Sequence, residues 1–463
     1  MVVIMVPLIR MLQVGLGLLL ILAQSPLAEA QVALPGVKLP GLGGNGLGLP
    51  LNADRTLSGL SSDLDPHRLE DLRRLHVLDL IRKNPRQIEA DSNGAPMVRG
   101  EVVAFSPTDA ALEGARRAGF VVVSEHVLEG LDARLVVLEA PRGISTGRAL
   151  KELRGLDPAG GYDFNHIYTD SGEVGVANAV PAGGAGINVP AGSSITGAAR
   201  ATEGSRIGLI DGGVDVSHDV FRDMVIHQHG CGDQPVPQAH GTAVASLMVG
   251  RSPSFRGAAP GTELYAADVY CGVPTGGSVD AVADAFSWLA RERVPVINVS
   301  LVGPANVMLE NVVRLVIARG HVIVAAVGND GPAAPPLYPA SYPDVVGVTA
   351  VDARRRVLLE ACRGRQVKLS APGADMSAAN PAQSFALVRG TSFAAPIVAG
   401  LLAEQMHAPD VQAAQRAVAE LESRAIDLGA PGLDPVYGYG LVGGDLHPEV
   451  ALARESGARE ARN

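Results

Sequence analysis

The sequence predicts an α/β protein, a parallel β-sheet with helices on both faces, preceded by a small α+β unit. From residue 205 onward, runs made almost wholly of apolar residues alternate with helical stretches, the pattern of strands covered on both faces. Between 97 and 170 shorter strands and helices follow a different order, with polar residues interleaved. Composition bounds the rest. The 463 residues suffice for two or three domains, and 47% hydrophobic against 19% charged residues allows a large core. A net charge of −10 offers no basic face, so nucleic acid is not an expected partner.

In chain order, residues 1–30 carry an apolar run from Leu12 to Ala23, then Pro26 and the small-x-small end Ala28-Glu29-Ala30. This predicts a signal peptide cleaved after Ala30 and a secreted or periplasmic destination. Arg10 alone supplies positive charge ahead of the run, which leaves an uncleaved anchor as the alternative. No later run is long and uncharged enough to span a bilayer, so no membrane contact is expected beyond the signal segment. Residues 31–64 read as a Gly/Pro-rich linker. Gly41, Gly43 and Gly46 fit G-x-G-x-x-G, but no strand precedes them and no helix follows, so a nucleotide role fails.

Asp65-Pro66 opens a helix that runs to Lys83. "EVVAF" and "FVVVSE" read as strands around a helix entered at Ser106-Pro107 and left at Gly119. "DARLVVLEA" is a third strand, "STGRALKELR" a helix and "YDFNHIY" a last strand. The β-α-β-β-α-β order is the ferredoxin-like split βαβ unit, so residues 65–170 form one domain. Residues 171–204 are Gly/Ala-rich and nearly uncharged, a linker or activation segment. Residues 205–449 then hold the strands "RIGLI", "ELYAADVY", "VPVINVSL", "HVIVAAVG" and "VVGVTAV", with helices near 241–249, 278–291 and 305–318. Residues 450–463 are a polar tail.

Ligands of such sheets sit at the carboxyl ends of the strands. Asp211 lies at the end of "RIGLI", and His240 precedes Gly241-Thr242 and an apolar helix. Ser392 stands in "VRGTSFAAPIVAG", where Pro396 lacks an N–H, so the helix must start within a turn of it, close to Ser392. Unpaired amides and the positive end of the dipole there suit an oxygen that gains negative charge. Singly, each residue could cap a turn or helix. Together, a carboxylate, a base and a nucleophile suit acyl transfer.

"IGLIDGGVDVSH", "HGTAVASLMVG" and "GTSFAAPIVAG" resemble the aspartate, histidine and serine motifs of the subtilases, the subtilisin-like serine proteases, in that family's order. "AAVGNDG" resembles the family's oxyanion segment. Asp211, His240, Asn329 and Ser392 follow one another at spacings of 29, 89 and 63 residues, which also fit. "YPASYP" (338–343) and "SAPG" (370–373) match secondary landmarks, and the likeness covers about 205–445. The resemblance implies a subtilisin-like fold and a serine endopeptidase with an Asp211-His240-Ser392 triad, an acyl-enzyme intermediate and Asn329 as oxyanion donor. "SLV" (300–302) and "GGS" (276–278) match strands that flank an extended substrate, which makes Ser300, Leu301, Gly276, Gly277 and Gly328 the expected substrate-binding residues. Leu337 would narrow the primary pocket. The same likeness makes 65–170 a propeptide, and the enzyme a self-processed zymogen cut after Tyr168 or within the following linker. Its partners would be protein or peptide substrates and its own propeptide.

Departures matter too. Gly212 replaces a Thr often found after the aspartate, and Ala243 stands where many relatives have a second histidine. Residues 250–260 carry no carboxylate or amide side chain, so a calcium loop is not supported and no cofactor is expected. Cys231, Cys271 and Cys362 are an odd count for an exported chain, with a Cys231–Cys271 disulfide expected because both flank one region. "HQHGC" (227–231) offers too few ligands for a metal site with His240 committed elsewhere, and reads as a disulfide loop. Two rivals remain. Ser392 with Asp427 and His447 has the Ser-Asp-His order of another hydrolase class, but "GTSFA" lacks the second glycine of G-x-S-x-G. A catalytically silent subtilase-fold binding protein is disfavoured by the full set of catalytic groups.

Overall fold

The computed structural model describes residues 66–175, 205–253 and 255–446. The expected signal peptide, the 31–64 linker, residues 176–204, His447 and the polar tail lie outside the described residues. Among those described, no helix is long and apolar enough to cross a membrane.

The N-terminal part comprises α1 (Pro66–Lys83), β1 (Ile88–Ala90), β2 (Pro96–Phe105), α2 (Asp109–Arg117), β3 (Val121–Leu128), β4 (Ala133–Glu139), α3 (Thr146–Leu156) and β5 (Gly161–His166). From β2 onward this is the expected β-α-β-β-α-β order, with β1 added. The five strands are antiparallel: β2 lies between β4 and β5, β3 lies outside β4, and β1 pairs with the start of β2. Thr108 and Ser145 start α2 and α3 by accepting hydrogen bonds from backbone N–H groups one turn on. Strand alternation gives the sheet two apolar faces. Val102, Ala104, Val136 and Leu138 pack on α2 and α3, while Val103, Leu135 and Val137 point the opposite way.

Two short strands follow, β6 (Thr169–Asp170) and β7 (Glu173–Val174). The larger part then runs β8 (Arg206–Asp211), β9 (Ile226–His229), α4 (Ala239–Val249), the hairpin strands β10 (Arg251–Ser252) and β11 (Phe255–Arg256), and β12 (Glu263–Asp268). Next come α5 (Val279–Arg291), β13 (Val296–Val299), β14 (Leu301–Val302), α6 (Val307–Ala318), β15 (Val322–Ala326) and β16 (Val346–Val351). It closes with β17 (Val367–Pro372), β18 (Met376–Asn380), β19 (Ser384–Arg389), α7 (Thr391–Ala403) and α8 (Val411–Ser423). Seven strands form one parallel sheet in the order β17-β16-β15-β13-β8-β12-β9. Its apolar strands supply two cores. Ile207, Leu209, Val296, Val322 and Val324 meet α4 and α7 on one face. Ile210, Ile297, Val299, Ile323 and Ala325 meet α5 and α6 on the other.

The outward face of the N-terminal sheet closes on α5 and α6, so Val103, Leu135 and Val137 share a cluster with Phe286, Leu289, Met308 and Leu309. Gly130 makes the approach possible, because a Cβ there would fall within 3.0 Å of Ala290 Cβ and closer still to the α5 backbone. Polar contacts fix the docking. Asp163 of β5 accepts a hydrogen bond from the Val307 N–H at the start of α6 (2.8 Å), and Asn165 donates to Asp280 at the start of α5 (3.1 Å). β5 therefore ends against two helix N-termini, and the chain beyond it is aimed along the rim of the large sheet.

Candidate active site

Strand ends and helix starts bring the predicted residues to the carboxyl rim of the parallel sheet. Asp211 is the last residue of β8, a central strand, and is almost wholly buried. His240 is the second residue of α4, and its Nδ1 lies 2.9 and 3.0 Å from the two Asp211 carboxylate oxygens. Gly241 permits this: a Cβ there would collide with the backbone of Gly212 and Gly213, the turn that follows Asp211. A nearly symmetric pair of contacts at Nδ1 places that proton toward the carboxylate, leaving Nε2 as the lone pair of the neutral ring. Burial works against a charged His240, but the Asp211 carboxylate, aided by Asp170, outweighs it and raises the pKa to about 9.

Ser392 is the second residue of α7, fully buried, after Gly390 at φ +134°, a conformation that favours glycine. The helix starts where Pro396 requires. Pro396 lies inside α7 and has no N–H to offer the Ser392 carbonyl one turn back. Ser300 supplies the missing donor: its hydroxyl reaches the Ser392 carbonyl at 2.9 Å and itself accepts from Asn298 Nδ2 at 2.8 Å. Ser300, expected as a substrate-binding residue, thus braces the backbone of Ser392.

Asp211 and His240 meet as expected, whereas no hydrogen bond joins His240 to Ser392. His240 Nε2 is buried without a hydrogen-bond partner among the described residues. The Ser392 hydroxyl donates instead to the Ser300 carbonyl (3.1 Å) and lies 2.7 Å from the hydroxyl of Ser171. Residues 167–175 of the same chain lie across the site. β6 pairs antiparallel with β14, Ile167 bridges Ser278, and β7 pairs with β19. Leu301 and Gly277 contact this segment, through the pairing of Leu301 with Asp170 and a 2.8 Å hydrogen bond from Tyr168 N–H to the Gly277 carbonyl. Gly276 turns away, against the Tyr270 backbone.

Asn329 follows β15 by a short turn. Its Oδ1 accepts the Thr391 N–H at 3.1 Å, which turns Nδ2 toward Gly390. Thr391 makes a second tie, accepting the Gly328 N–H through Oγ1 at 3.1 Å. Leu337 is buried and packs on Gly328, leaving no room for a Cβ there. The bracing groups Asn298 and Thr391 escaped the sequence reading. An Asn buried inside the apolar run "VINV" was the signal for one; the other hid in the serine motif.

Cys231 and Cys271 form the expected disulfide, 40 residues apart in sequence. With Asp268 they are the one cluster of metal-ligating spacing among the described residues. Its sulfurs are bonded to each other, and Asp268 accepts N–H bonds from Val236, Tyr270 and Cys271. His227 and His229 pair separately, with Glu263 and Asp284, so "HQHGC" gathers no ligand set. Asp427 accepts the Gly432 N–H and belongs to a surface turn.

A buried carboxylate–imidazole pair beside a serine at a helix start, with a fixed carboxamide nearby, is the arrangement of a serine hydrolase on a parallel sheet. Comparison with known proteins narrows the class. The model of the Subtilase family matches residues 202–440, and the chain belongs to that family as a subtilisin-like serine protease. It is 30% identical to an alkaline protease of Alkalihalobacillus alcalophilus over 293 residues, 62% of this chain and 73% of that one. It is 28% identical to subtilisin E of Bacillus subtilis (strain 168) over 359 residues, covering 74% and 88%. Among solved structures, fervidolysin from Fervidobacterium pennivorans, a keratinolytic enzyme related to subtilisin, shares the fold. Its TM-score is 0.62 at 20% identity, over 76% of this chain and 61% of that one.

Proposed function

We propose that the protein is an exported serine endopeptidase that hydrolyses peptide bonds through Asp211, His240 and Ser392, and that residues 65–170 are its inhibitory propeptide. The observation that carries the reading is the His240 pair with Asp211, its Nε2 unpartnered at the rim where Ser392 begins α7. In the reaction His240 takes the Ser392 proton as Oγ attacks the substrate carbonyl, Asp211 holds the imidazolium, and His240 passes the proton to the departing amine. Asn329 Nδ2 and the Ser392 N–H receive the oxyanion, and water then hydrolyses the acyl-enzyme.

The propeptide reading is supported by the docking of β5 on α5 and α6 and by the segment that follows it through the site. Export is supported by the 1–30 signal pattern, and peptide or protein substrates by the protease family. The test compares wild type with Ser392→Ala. Wild type should react with a fluorophosphonate and shed its N-terminal part, seen by intact mass; Ser392→Ala should do neither. Wild type that is inert on both counts refutes the reading.

A further inference from the structure

Hydrogen bonds hold residues 167–175 in the cleft, and they change partner strands at one place. Upstream, Tyr168 N–H donates to Gly277 O, and Thr169 and Asp170 run antiparallel to Val302 and Leu301. Downstream, Glu173 and Val174 pair with Arg389 and Val388, and the Gly175 N–H donates to Leu387 O at 2.8 Å. Ser171 and Gly172 lie between, without strand partners. Ser171 Oγ is 2.7 Å from Ser392 Oγ. A Cβ on Gly172 would come within 3.1 Å of Ser392 Cβ and 2.5 Å of the Phe393 ring, so only glycine fits there without displacement. The Ser171 carbonyl oxygen and Asn329 Nδ2 flank one point, 3.1 and 2.6 Å from where a Gly390 Cβ would sit.

Tyr168 pins this register. It is fully buried, and its hydroxyl donates to the Pro304 carbonyl at 2.6 Å. Its ring lies against Gly303 and its carbonyl against Gly277, two positions where a Cβ has no room. A slip of one residue moves the chain by about 3.3 Å and offers this pocket Ile167 or Thr169, neither of which has a ring.

We propose that the Ser171–Gly172 peptide bond is the chain's own cleavage site, with Tyr168 as the side chain that sets its register. The proposal rests on the endopeptidase reading above. Ser392 Oγ bonds to the Ser171 carbonyl carbon, and its proton passes through His240 to the Gly172 nitrogen as the C–N bond breaks. Water then adds to the Ser171 acyl group and restores the Ser392 hydroxyl. The products are a Ser171 carboxylate and a free Gly172 amine.

The experiment is N-terminal sequencing and intact mass of the large fragment released by wild-type protein, with Ser392→Ala and fluorophosphonate labelling alongside. A fragment beginning at Gly172 is the expected result. Labelled, processed protein whose fragment begins anywhere else overturns this proposal while leaving the endopeptidase reading standing; unlabelled, unprocessed protein overturns both. Register is tested in trans, which avoids variants that fail to fold. Processed enzyme freed of its N-terminal fragment is given the peptide His-Ile-Tyr-Thr-Asp-Ser-Gly-Glu-Val-Gly, residues 166–175, which should be cut once, between Ser and Gly. Phe in place of Tyr should lower kcat/KM about tenfold through the lost hydroxyl bond, and Ala by ~100-fold or more through the lost ring. Equal cleavage of all three peptides refutes the role of Tyr168.

Discussion

Replacing Ser300 by Ala strands the Ser392 carbonyl. Pro396 cannot donate to that oxygen, and the Ser300 hydroxyl does so at 2.9 Å. Both serines are fully buried, so water does not substitute. An unsatisfied buried acceptor costs about 1–3 kcal/mol, and the Asn298 amide loses its acceptor in the same step. A central figure of about 2 kcal/mol lowers the melting temperature of a domain this size by roughly 4–8 °C. The decisive comparison adds Pro396→Ala, which restores an N–H one turn after Ser392. Since a carbonyl accepts two bonds, Pro396→Ala alone should change little. In its presence, Ser300→Ala should lose at least half its effect, a coupling of about 1 kcal/mol. The four proteins are best compared in a Ser392→Ala background, which prevents self-digestion, by melting at one fixed scan rate. Additive effects, with coupling below about 0.5 kcal/mol, would falsify the claim that Ser300 replaces the donor Pro396 lacks.

On the proposed mechanism, in which the amide would serve an oxyanion present only in the transition state, Asn329→Ala should lower kcat on a peptide substrate by on the order of 10²–10³ with a far smaller change in KM. With the 167–175 segment in place His240 is held protonated up to about pH 9, so self-cleavage should speed up as pH rises toward that value. Asp170→Asn removes one of the carboxylates that raise it, and the midpoint of rate against pH should move to lower pH; an unmoved midpoint counts against the assignment. His321 is buried, and burial depresses its pKa to about 4 despite its Nδ1–H bond to the Val294 carbonyl. The unfolded chain takes up that proton from about pH 6.5 downward while the folded protein does not until about pH 4. Stability should therefore fall over that window by on the order of 3 kcal/mol, and His321→Gln should flatten the acid arm of melting temperature against pH.

The central strands were legible because continuous apolar runs such as "HVIVAAVG" have one structural solution, burial on both faces. β9 and β17 were not. Three of the four residues of "IHQH" are polar and "VKLSAP" carries Lys and Pro, as edge strands with a single neighbour allow. In the N-terminal part, period-two alternation and turn residues outlined each element of the split βαβ unit, but β1 is too short to leave a pattern. The meeting of Asp211 with His240 was readable from a strand end and a helix start at one rim of the sheet and from the likeness of their motifs. The contact of the Ser392 hydroxyl with Ser171 was not, because it depends on which residue of the preceding segment lies opposite. That is a matter of register, fixed by the Tyr168 pocket and by pairing between strands more than a hundred residues apart.

The apolar cluster shared by Val103, Leu135 and Val137 with Phe286 and Met308 runs unbroken from one part of the molecule into the other. Severing a covalent link beyond β5 takes nothing from that cluster. Two polypeptides produced by such a cut would stay clasped like halves of one seed, and the cleft would remain filled. Onset of proteolysis would then follow not the first incision but destruction of the leading half, so a preparation should show a lag that shortens when a little mature protease is added.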